Sequence, residues 1–276
     1  SSMVSSSTGT GTAPTGIYIA DTANNRILYM NDMTGAGLTE KPGYNLPCSL
    51  AVGPDNRIYI ADTGNNRIVR INSINGSGEV FFGGYGSGIN QFNNPQGIAI
   101  GYDGKIYIAD SGNNRIVRLD DINGTGWTTY GSYGTGTGYF SGPVDIAVNS
   151  SGFIMLSDRG NKRVIRINDI LGNGWKEYYE GKEVFGVHLF NDSSACFVCR
   201  SSPAGSDYLR RLDSNFAPTT FYGAFLNVVG LHINSTGREF YMAESGNNTI
   251  RKTSFSTILA TYNTGLNTPM DVFFNE

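Results

Sequence analysis

Two nearly identical stretches of 15 residues constrain the fold of this chain more than any other feature. They cover residues 58–72, IYIADTGNNRIVRIN, and residues 106–120, IYIADSGNNRIVRLD. In each, two β-rich segments flank a short Asp-(Thr/Ser)-Gly-Asn-Asn segment, in which Gly and Asn tolerate the positive φ of a tight turn. Each stretch therefore predicts a β-hairpin.

Four weaker copies, beginning at Ile17, Ile154, Cys196 and Phe240, extend the series. The second residues of the six copies are Tyr18, Tyr59, Tyr107, Met155, Phe197 and Tyr241, so the steps are 41, 48, 48, 42 and 44 residues. This period is typical of propeller blades, each too small to bury its apolar face without neighbours. We therefore predict an all-β fold, a single six-bladed β-propeller over residues 16–276.

Further short runs add two strands to each hairpin. The predicted innermost strands are residues 49–52, 97–100, 145–148, 186–189, 230–233 and 271–274. An outer strand follows each hairpin, clearest at residues 79–82, 127–130 and 175–178, which gives four antiparallel strands per blade. Since the chain starts on a second strand and ends on a first strand, pairing the C-terminal strand with the N-terminal hairpin would close the ring.

The composition limits location and partners. Residues 1–15, SSMVSSSTGTGTAPT, are rich in Ser, Thr and Gly, which predicts a flexible tether. The chain has 37 glycines, only 16% charged residues and a net charge of −3, so no strong positive field would attract nucleic acid. No apolar run approaches the ~20 residues of a transmembrane segment. We expect a periplasmic, cell-surface or secreted protein.

The three cysteines do not form a disulfide framework. Cys196 and Cys199 lie three apart on a predicted strand, where they take the positions of Ile154 and Ser157 of the preceding copy. Their side chains would then point to opposite faces of the strand. We expect small core residues rather than a redox or zinc pair.

The segment Gly131-x-x-Gly-x-Gly-x-x-x-Phe140-x-x-Pro143-x-Asp-Ile-Ala147, followed by Asp158 and Arg163, resembles the NHL repeat. The resemblance covers the chain after the tether and implies a six-bladed propeller. This fold carries protein binders, RNA binders, sensors and a few metal enzymes. The amidating lyases of this class place zinc-binding His directly after the Pro that opens an innermost strand. Here those positions hold Cys48, Gln96, Val144, Phe185, Val229 and Met270, so that ligand set is missing.

An Asp and an Arg recur at the ends of the hairpin turn. The pairs are Asp21/Arg26, Asp62/Arg67, Asp110/Arg115 and Asp158/Arg163. Because the carboxylate can accept turn amides and the Arg can bridge to it, we predict that they lock each blade. The last two copies depart from the pattern, with Arg200/Tyr208 and Glu244/Thr249, and specialised function would sit most easily there.

The predicted innermost strands place two layers of side chains on the axis. One layer holds Ser49, Gly97, Asp145, Gly186, Gly230 and Asp271, and the other holds Ala51, Ala99, Ala147, His188, His232 and Phe273. Asp145 and Asp271 would face each other, and the two histidines would be neighbours. Together these four could hold a divalent metal. Alternatively, the carboxylates cap neighbouring amides and the imidazoles fill space.

The loops that join one blade to the next carry aromatic residues. We predict a ligand-binding loop face that uses Tyr44, Tyr85, Tyr133, Tyr139 and Tyr222, since Tyr beside Gly and Asn suits contacts with a protein, peptide or glycan. Packing between blades is the alternative for these rings. Phe92 and Phe140 precede Pro at a fixed spacing and should plug the space between blades. The face is poor in Lys and Arg, so we expect no nucleic-acid partner.

These features favour a non-catalytic binding or scaffold module. The alternative is a metal-assisted hydrolase or lyase with an ion in the channel that polarises a carbonyl or activates water. No complete catalytic set is visible in the sequence, and no cofactor other than such a metal is expected.

Overall fold

The computed structural model describes residues 15–200, 207–225, 227–254 and 257–276, with the backbone alone for residues 220–224. The described residues form β-strands and four 3-10 turns of three residues each. None of these helical turns is long and apolar enough to cross a bilayer. The chain is therefore all-β across the described ranges, as predicted.

Six four-stranded antiparallel sheets form the blades. Blade one contains β1 (Gly16–Asp21), β2 (Arg26–Met30) and β3 (Thr39–Pro42). Blade two contains β4 (Pro47–Val52), β5 (Ile58–Asp62), β6 (Arg67–Ile71) and β7 (Val80–Phe82). Blade three contains β8 (Pro95–Ile100), β9 (Ile106–Asp110), β10 (Arg115–Leu119) and β11 (Thr128–Tyr130). A parallel pair, β12 (Ser132–Tyr133) and β13 (Tyr139–Phe140), lies in the loop that follows.

The remaining blades repeat the pattern. Blade four contains β14 (Pro143–Val148), β15 (Ile154–Asp158), β16 (Arg163–Ile167) and β17 (Lys176–Tyr179). Blade five contains β18 (Val184–Leu189), β19 (Ala195–Cys199), β20 (Asp207–Leu212) and β21 (Pro218–Phe225). Blade six contains β22 (Val228–Ile233), β23 (Phe240–Glu244), β24 (Thr249–Thr253) and β25 (Ile258–Tyr262). The last strand, β26 (Pro269–Asn275), belongs to blade one.

The ring closes as predicted. β26 pairs antiparallel with β1, which places Phe274 opposite Ile17 and Phe273 opposite Tyr18. The innermost strands β26, β4, β8, β14, β18 and β22 contact one another in that order around the axis, and β22 returns to β26. The first and last strands of the described chain therefore share one blade.

The core lies between adjacent blades, where buried side chains of neighbouring sheets interdigitate. Phe92 and Phe140 are fully buried, which confirms that they plug these interfaces. The ring of Phe92 lies 5.3 Å from the ring of Trp127, and Phe140 stacks on Trp175 at 5.8 Å. Such aromatic pairs add to the stabilisation that burial provides.

The repeated Asp and Arg lock each turn, as predicted. In the four pairs the Arg Nε lies 2.7–2.9 Å from a fully buried Asp carboxylate. In blade three, Asp110 also accepts hydrogen bonds from the backbone N–H of Asn93 and from the Asn113 side chain. One carboxylate therefore joins the turn, the following strand and the loop that enters the blade.

The predicted alignment of blade five is wrong by one residue. Cys199 pairs with Tyr208 where blade four pairs Asp158 with Arg163, so Cys199 stands at the Asp position. Cys196 accordingly corresponds to Met155 and not to Ile154. The reason is that this copy lacks the (Asp/Glu)-x-(Gly/Ala)-Asn turn sequence by which the other copies align. Asp207 supplies a replacement carboxylate, which accepts the backbone N–H of Val228 at 2.9 Å.

The cysteine prediction is confirmed despite that shift. All three cysteines are free, and Cys196 and Cys199 are buried. Cys196 packs toward blade six and Cys199 toward blade four, so they point to opposite faces of β19. Burial raises the pKa of both thiols, which keeps them protonated and unreactive.

Candidate functional site

The axial channel is lined by the two predicted layers of side chains. It encloses a chamber of about 260 Å³ between the six innermost strands. Ser49, Asp145 and Asp271 lie at one level of the chamber, and His188 and His232 lie at the next. The sequence therefore identified the titratable residues on the axis.

The two axial carboxylates are acceptors for neighbouring blades. Asp271 accepts hydrogen bonds from the Ser49 hydroxyl at 2.9 Å and the Leu50 N–H at 3.1 Å, and Asp145 accepts the Val187 N–H at 2.8 Å. The Ser49 hydroxyl oxygen in turn accepts the Ile98 N–H at 3.3 Å. Because innermost strands of adjacent blades form no common sheet, these N–H groups need such acceptors.

Glycine occupies the position of these capping side chains at the other three junctions of the hub. A Cβ on Gly97 or Gly230 would lie 2.7 Å from the Cα of the Asp in the next blade, and a Cβ on Gly186 would lie 2.7 Å from the Leu231 nitrogen. The blades approach so closely there that only glycine fits. The hub therefore uses side-chain caps at three junctions and direct backbone contact at three.

Burial determines the charge of the axial groups. Desolvation raises the pKa of Asp271, and desolvation together with the charge of Asp271 raises the pKa of Asp145. Desolvation lowers the pKa of His232 to about 4, and desolvation plus the neighbouring imidazole lowers that of His188 to about 3. Both imidazoles are therefore neutral near pH 7.

The histidines are the least engaged polar groups of the channel. Their ring centroids are 5.9 Å apart, and neither imidazole makes a hydrogen bond to the described residues. Neutral imidazoles are suitable metal ligands. In the described ranges, however, no three His, Cys, Asp or Glu side chains group as a metal site would require. The four channel candidates form two separate pairs, and the carboxylate pair already accepts N–H groups.

The loop face presents some of the predicted tyrosines and buries another. Tyr85, Tyr133 and Tyr139 are 74%, 76% and 46% exposed. Tyr44 is only 6% exposed, because its ring packs between blades one and two. The side chain of Tyr222 lies outside the described residues. Among the predicted tyrosines whose side chains are described, the exposed ones therefore lie on the loops that enter blades three and four.

Those two loops are held by the Arg that opens the strand after each repeated turn. The Arg115 guanidinium donates to the Ser87 and Gln91 carbonyls at 2.8 Å each. The Arg163 guanidinium donates in the same way to the Thr135 carbonyl at 2.7 Å and the Tyr139 carbonyl at 2.8 Å. Tyr85 and Tyr133 thus stand on backbones fixed by buried or half-buried ion pairs.

Arg159 is a feature of the loop face that sequence reasoning missed. At the equivalent position, Thr22 and Thr63 donate a hydrogen bond at 2.6 Å to the Pro carbonyl of the next blade. Arg159 instead pairs with Glu183 at 3.1 Å and lies 5.1 Å from the Phe185 ring. The change was visible in the aligned copies as Asp-Arg-Gly in place of Asp-(Thr/Ser)-Gly.

The opposite end of the channel opens into a wider mouth, which was also missed. It has a volume of about 690 Å³ and begins at the two histidines. Its wall comes from the β14–β15, β18–β19 and β22–β23 turns, from Arg211 of β20 and from the last residues of the chain. No single motif encodes it, because five separate segments contribute.

Comparisons with known proteins agree with this architecture. The family model described as NHL repeat matches residues 44–71 and 92–119. No curated protein sequence matches the chain significantly.

Solved structures with a similar fold span several functions. A structure of a nidogen/laminin complex is similar over 94% of this chain and 97% of that chain, with 16% identity and a TM-score of 0.76. A catalytically inactive virginiamycin B lyase from Staphylococcus aureus with quinupristin covers 94% and 86%, with 20% identity and a TM-score of 0.64. A protein of unknown function from Bacteroides caccae covers 94% and 98%, with 13% identity and a TM-score of 0.71.

At these identities the structural matches show the fold alone. The two matched repeats and the closed ring of six four-stranded blades together support an NHL-repeat six-bladed β-propeller.

Proposed function

We propose that this propeller is a non-catalytic binding module that recognises a protein, peptide or glycan through its loop face. The observation that carries the proposal is the pair of projecting rings, Tyr85 and Tyr133, on loops pinned by Arg115 and Arg163. A large aromatic side chain on a fixed backbone loses little entropy on binding. The arrangement therefore suits recognition of a partner surface.

Neighbouring residues enlarge this surface. Ile89 is 74% exposed on the same loop as Tyr85, and Tyr139 is 46% exposed on the same loop as Tyr133. Exposed apolar and aromatic side chains grouped on one face are typical of interaction sites. The similar fold in a nidogen/laminin complex supports a protein partner, and a periplasmic, cell-surface or secreted location belongs to the same proposal.

The test compares matched tyrosine variants. Tyr85→Ser/Tyr133→Ser should abolish capture of partners that the wild-type protein retains in a pull-down or on a glycan array. Tyr102→Ser is the control, because Tyr102 is 81% exposed on the β8–β9 turn at the opposite face. Equal capture by all three proteins, with unchanged Tm, would rule out the loop face as the binding surface.

A metal-assisted hydrolase or lyase is the second candidate. What favours it is the pair of neutral imidazoles, His188 and His232, at 5.9 Å in a chamber that a substrate could approach from the wide mouth. Metal analysis after incubation with divalent ions tests it. A stoichiometric ion that is lost in His232→Ala or Asp145→Asn would support the enzyme, and a metal content unchanged by both substitutions would count against it.

A further inference from the structure

The wide mouth of the channel, on the face away from the proposed binding loops, has the features of a small-molecule site. Its volume of about 690 Å³ lies in the range typical of ligand pockets. Four rings follow one another along its inner end. Phe190 lies 4.7 Å from His188, His188 lies 5.9 Å from His232, and His232 lies 4.5 Å from Phe273.

One cation in this mouth lies within charge-interaction range of the Asp192 carboxylate but forms no ion pair with it. The Arg211 guanidinium lies 5.3 Å from the Phe190 ring, and it makes no hydrogen bond or ion pair to the described residues. The nearby carboxylates are engaged in turns. Asp192 accepts from the N–H and hydroxyl of Ser194, and Glu276 accepts from the N–H and hydroxyl of Ser235. Arg211 is thus left available for an external anion.

We propose that this mouth binds a small aromatic carboxylate. Its carboxylate pairs with Arg211, and its ring lies against the aromatic row of Phe190, His188, His232 and Phe273. A guanidinium on an aromatic face is well suited to a planar anion, since it offers two parallel donors. The neutral imidazoles add an N–H donor and a nitrogen acceptor beside the ring without adding charge.

The geometry distinguishes this ligand from simpler ones. A plain anion would use Arg211 but would leave the aromatic row exposed to water. An uncharged ring would cover the row but leave the guanidinium without a counter-ion. Only a molecule with both groups satisfies both parts of the mouth.

The experiment uses 3-phenylpropionate as the probe and the two histidines as reporters. They are the only histidines in the chain, so their imidazole NMR signals report this site directly. Both signals should shift saturably with the probe at concentrations below about 10 mM. The matched alcohol, 3-phenylpropan-1-ol, and the ringless acid butyrate should each bind at least about tenfold more weakly.

Two variants test whether Arg211 pairs with the carboxylate of the probe. Arg211→Gln should weaken binding of the probe about tenfold or more, whereas Arg57→Gln should not, because Arg57 lies on the same face outside the mouth and pairs with Asp55. The proposal would be overturned by the absence of a saturable shift, by equal binding of butyrate, or by unchanged affinity in Arg211→Gln. None of these results bears on the loop face, so the two proposals fail independently.

Discussion

Four titratable side chains lie on the axis of the hub, and their surroundings divide them into two kinds. Asp145 and Asp271 accept N–H groups from the next blade and so are part of the architecture. His188 and His232 make no hydrogen bond to the described residues and remain neutral. The division suggests that carboxylate substitutions will act mainly on stability and histidine substitutions mainly on what the channel can bind.

The lowered histidine pKa values predict a dependence of stability on pH. The ordinary pKa is 6.5, so between about pH 4 and 6.5 the unfolded chain binds more protons than the folded state. The histidines therefore lower the free energy of unfolding as the pH falls through this window. The carboxylates, whose pKa values are raised, act in the opposite direction.

A comparison between two proteins isolates the histidines. The free energy of unfolding of His188→Gln/His232→Gln minus that of wild type should be about 2–4 kcal/mol larger at pH 4.5 than at pH 7. This range allows for solvent screening of the half-buried imidazoles. Urea unfolding at both pH values measures this. If the two proteins lose stability in parallel on acidification, the imidazoles are not desolvated as the structure indicates.

Sequence reasoning located these side chains better than it assigned their roles. The period-two pattern of the innermost strands placed all four on the axis. It left open whether the carboxylates bind a metal or cap amides, because that depends on the approach of a neighbouring blade about 42 residues away in sequence. Tyr44 illustrates the same limit. Like Tyr85, it lies in a loop that joins two blades, but packing between the blades buries Tyr44 and leaves Tyr85 exposed.

At the scale of the strand, the hub depends on glycine where two backbones meet. Gly230 of β22 faces the Met270 carbonyl and Asp271 Cα of β26, both 2.7 Å from where its Cβ would lie. Neither is the end of a flexible side chain, so a methyl group must displace a strand. We therefore expect the three junctions that carry glycine in place of a side-chain cap to be intolerant of any side chain.

Gly230→Ala should lower the free energy of unfolding by about 1–3 kcal/mol, as overpacking in a core does. Gly84→Ala is the matched control, because its Cβ would meet nothing within 4 Å. Thermal unfolding followed by circular dichroism gives both values. If Gly230→Ala has the same Tm as the control, β22 and β26 can move apart to accept a methyl group without loss of stability.

Blade five shows where prediction of elements failed. The β-rich Cys-Phe-Val-Cys run predicts its hairpin, but without the turn signature the predicted register differs from the structure by one residue. A slip of one reverses the faces of a strand, so the buried pattern of the neighbouring blades was the signal that could have corrected it. Blades two and three, whose turns are intact, were assigned correctly.

For the whole molecule, the repeat period predicts the number of blades, and the order of the strands at the two ends predicts the closure of the ring. It could not reveal the wide mouth, which is built from turns that differ between blades four, five and six. Such turns tolerate change because they lie outside the interblade core. The mouth is therefore a place where this chain departs from a regular propeller while the ring stays intact.

The closing strand should be indispensable to the entire ring. Deletion of residues 269–276 would expose the edge of β1, remove the buried Val272 and take away the Asp271 acceptor from Leu50. Since the net stability of a domain is only about 5–15 kcal/mol, we expect loss of the cooperative transition and aggregation through the open edge. Circular dichroism and size-exclusion chromatography measure both.

Two comparisons test whether the loss of the cooperative transition is caused by loss of ring closure. Removal of Glu276 alone should leave Tm nearly unchanged, because its carboxylate reaches only the exposed Ser235 turn. A synthetic peptide of residues 269–276, added to the shortened chain, should restore part of the transition by pairing with β1, since strand addition to a free edge supplies both backbone hydrogen bonds and side-chain contacts. A shortened chain that unfolds at the wild-type temperature would mean that the five other junctions hold the blades without a closed ring.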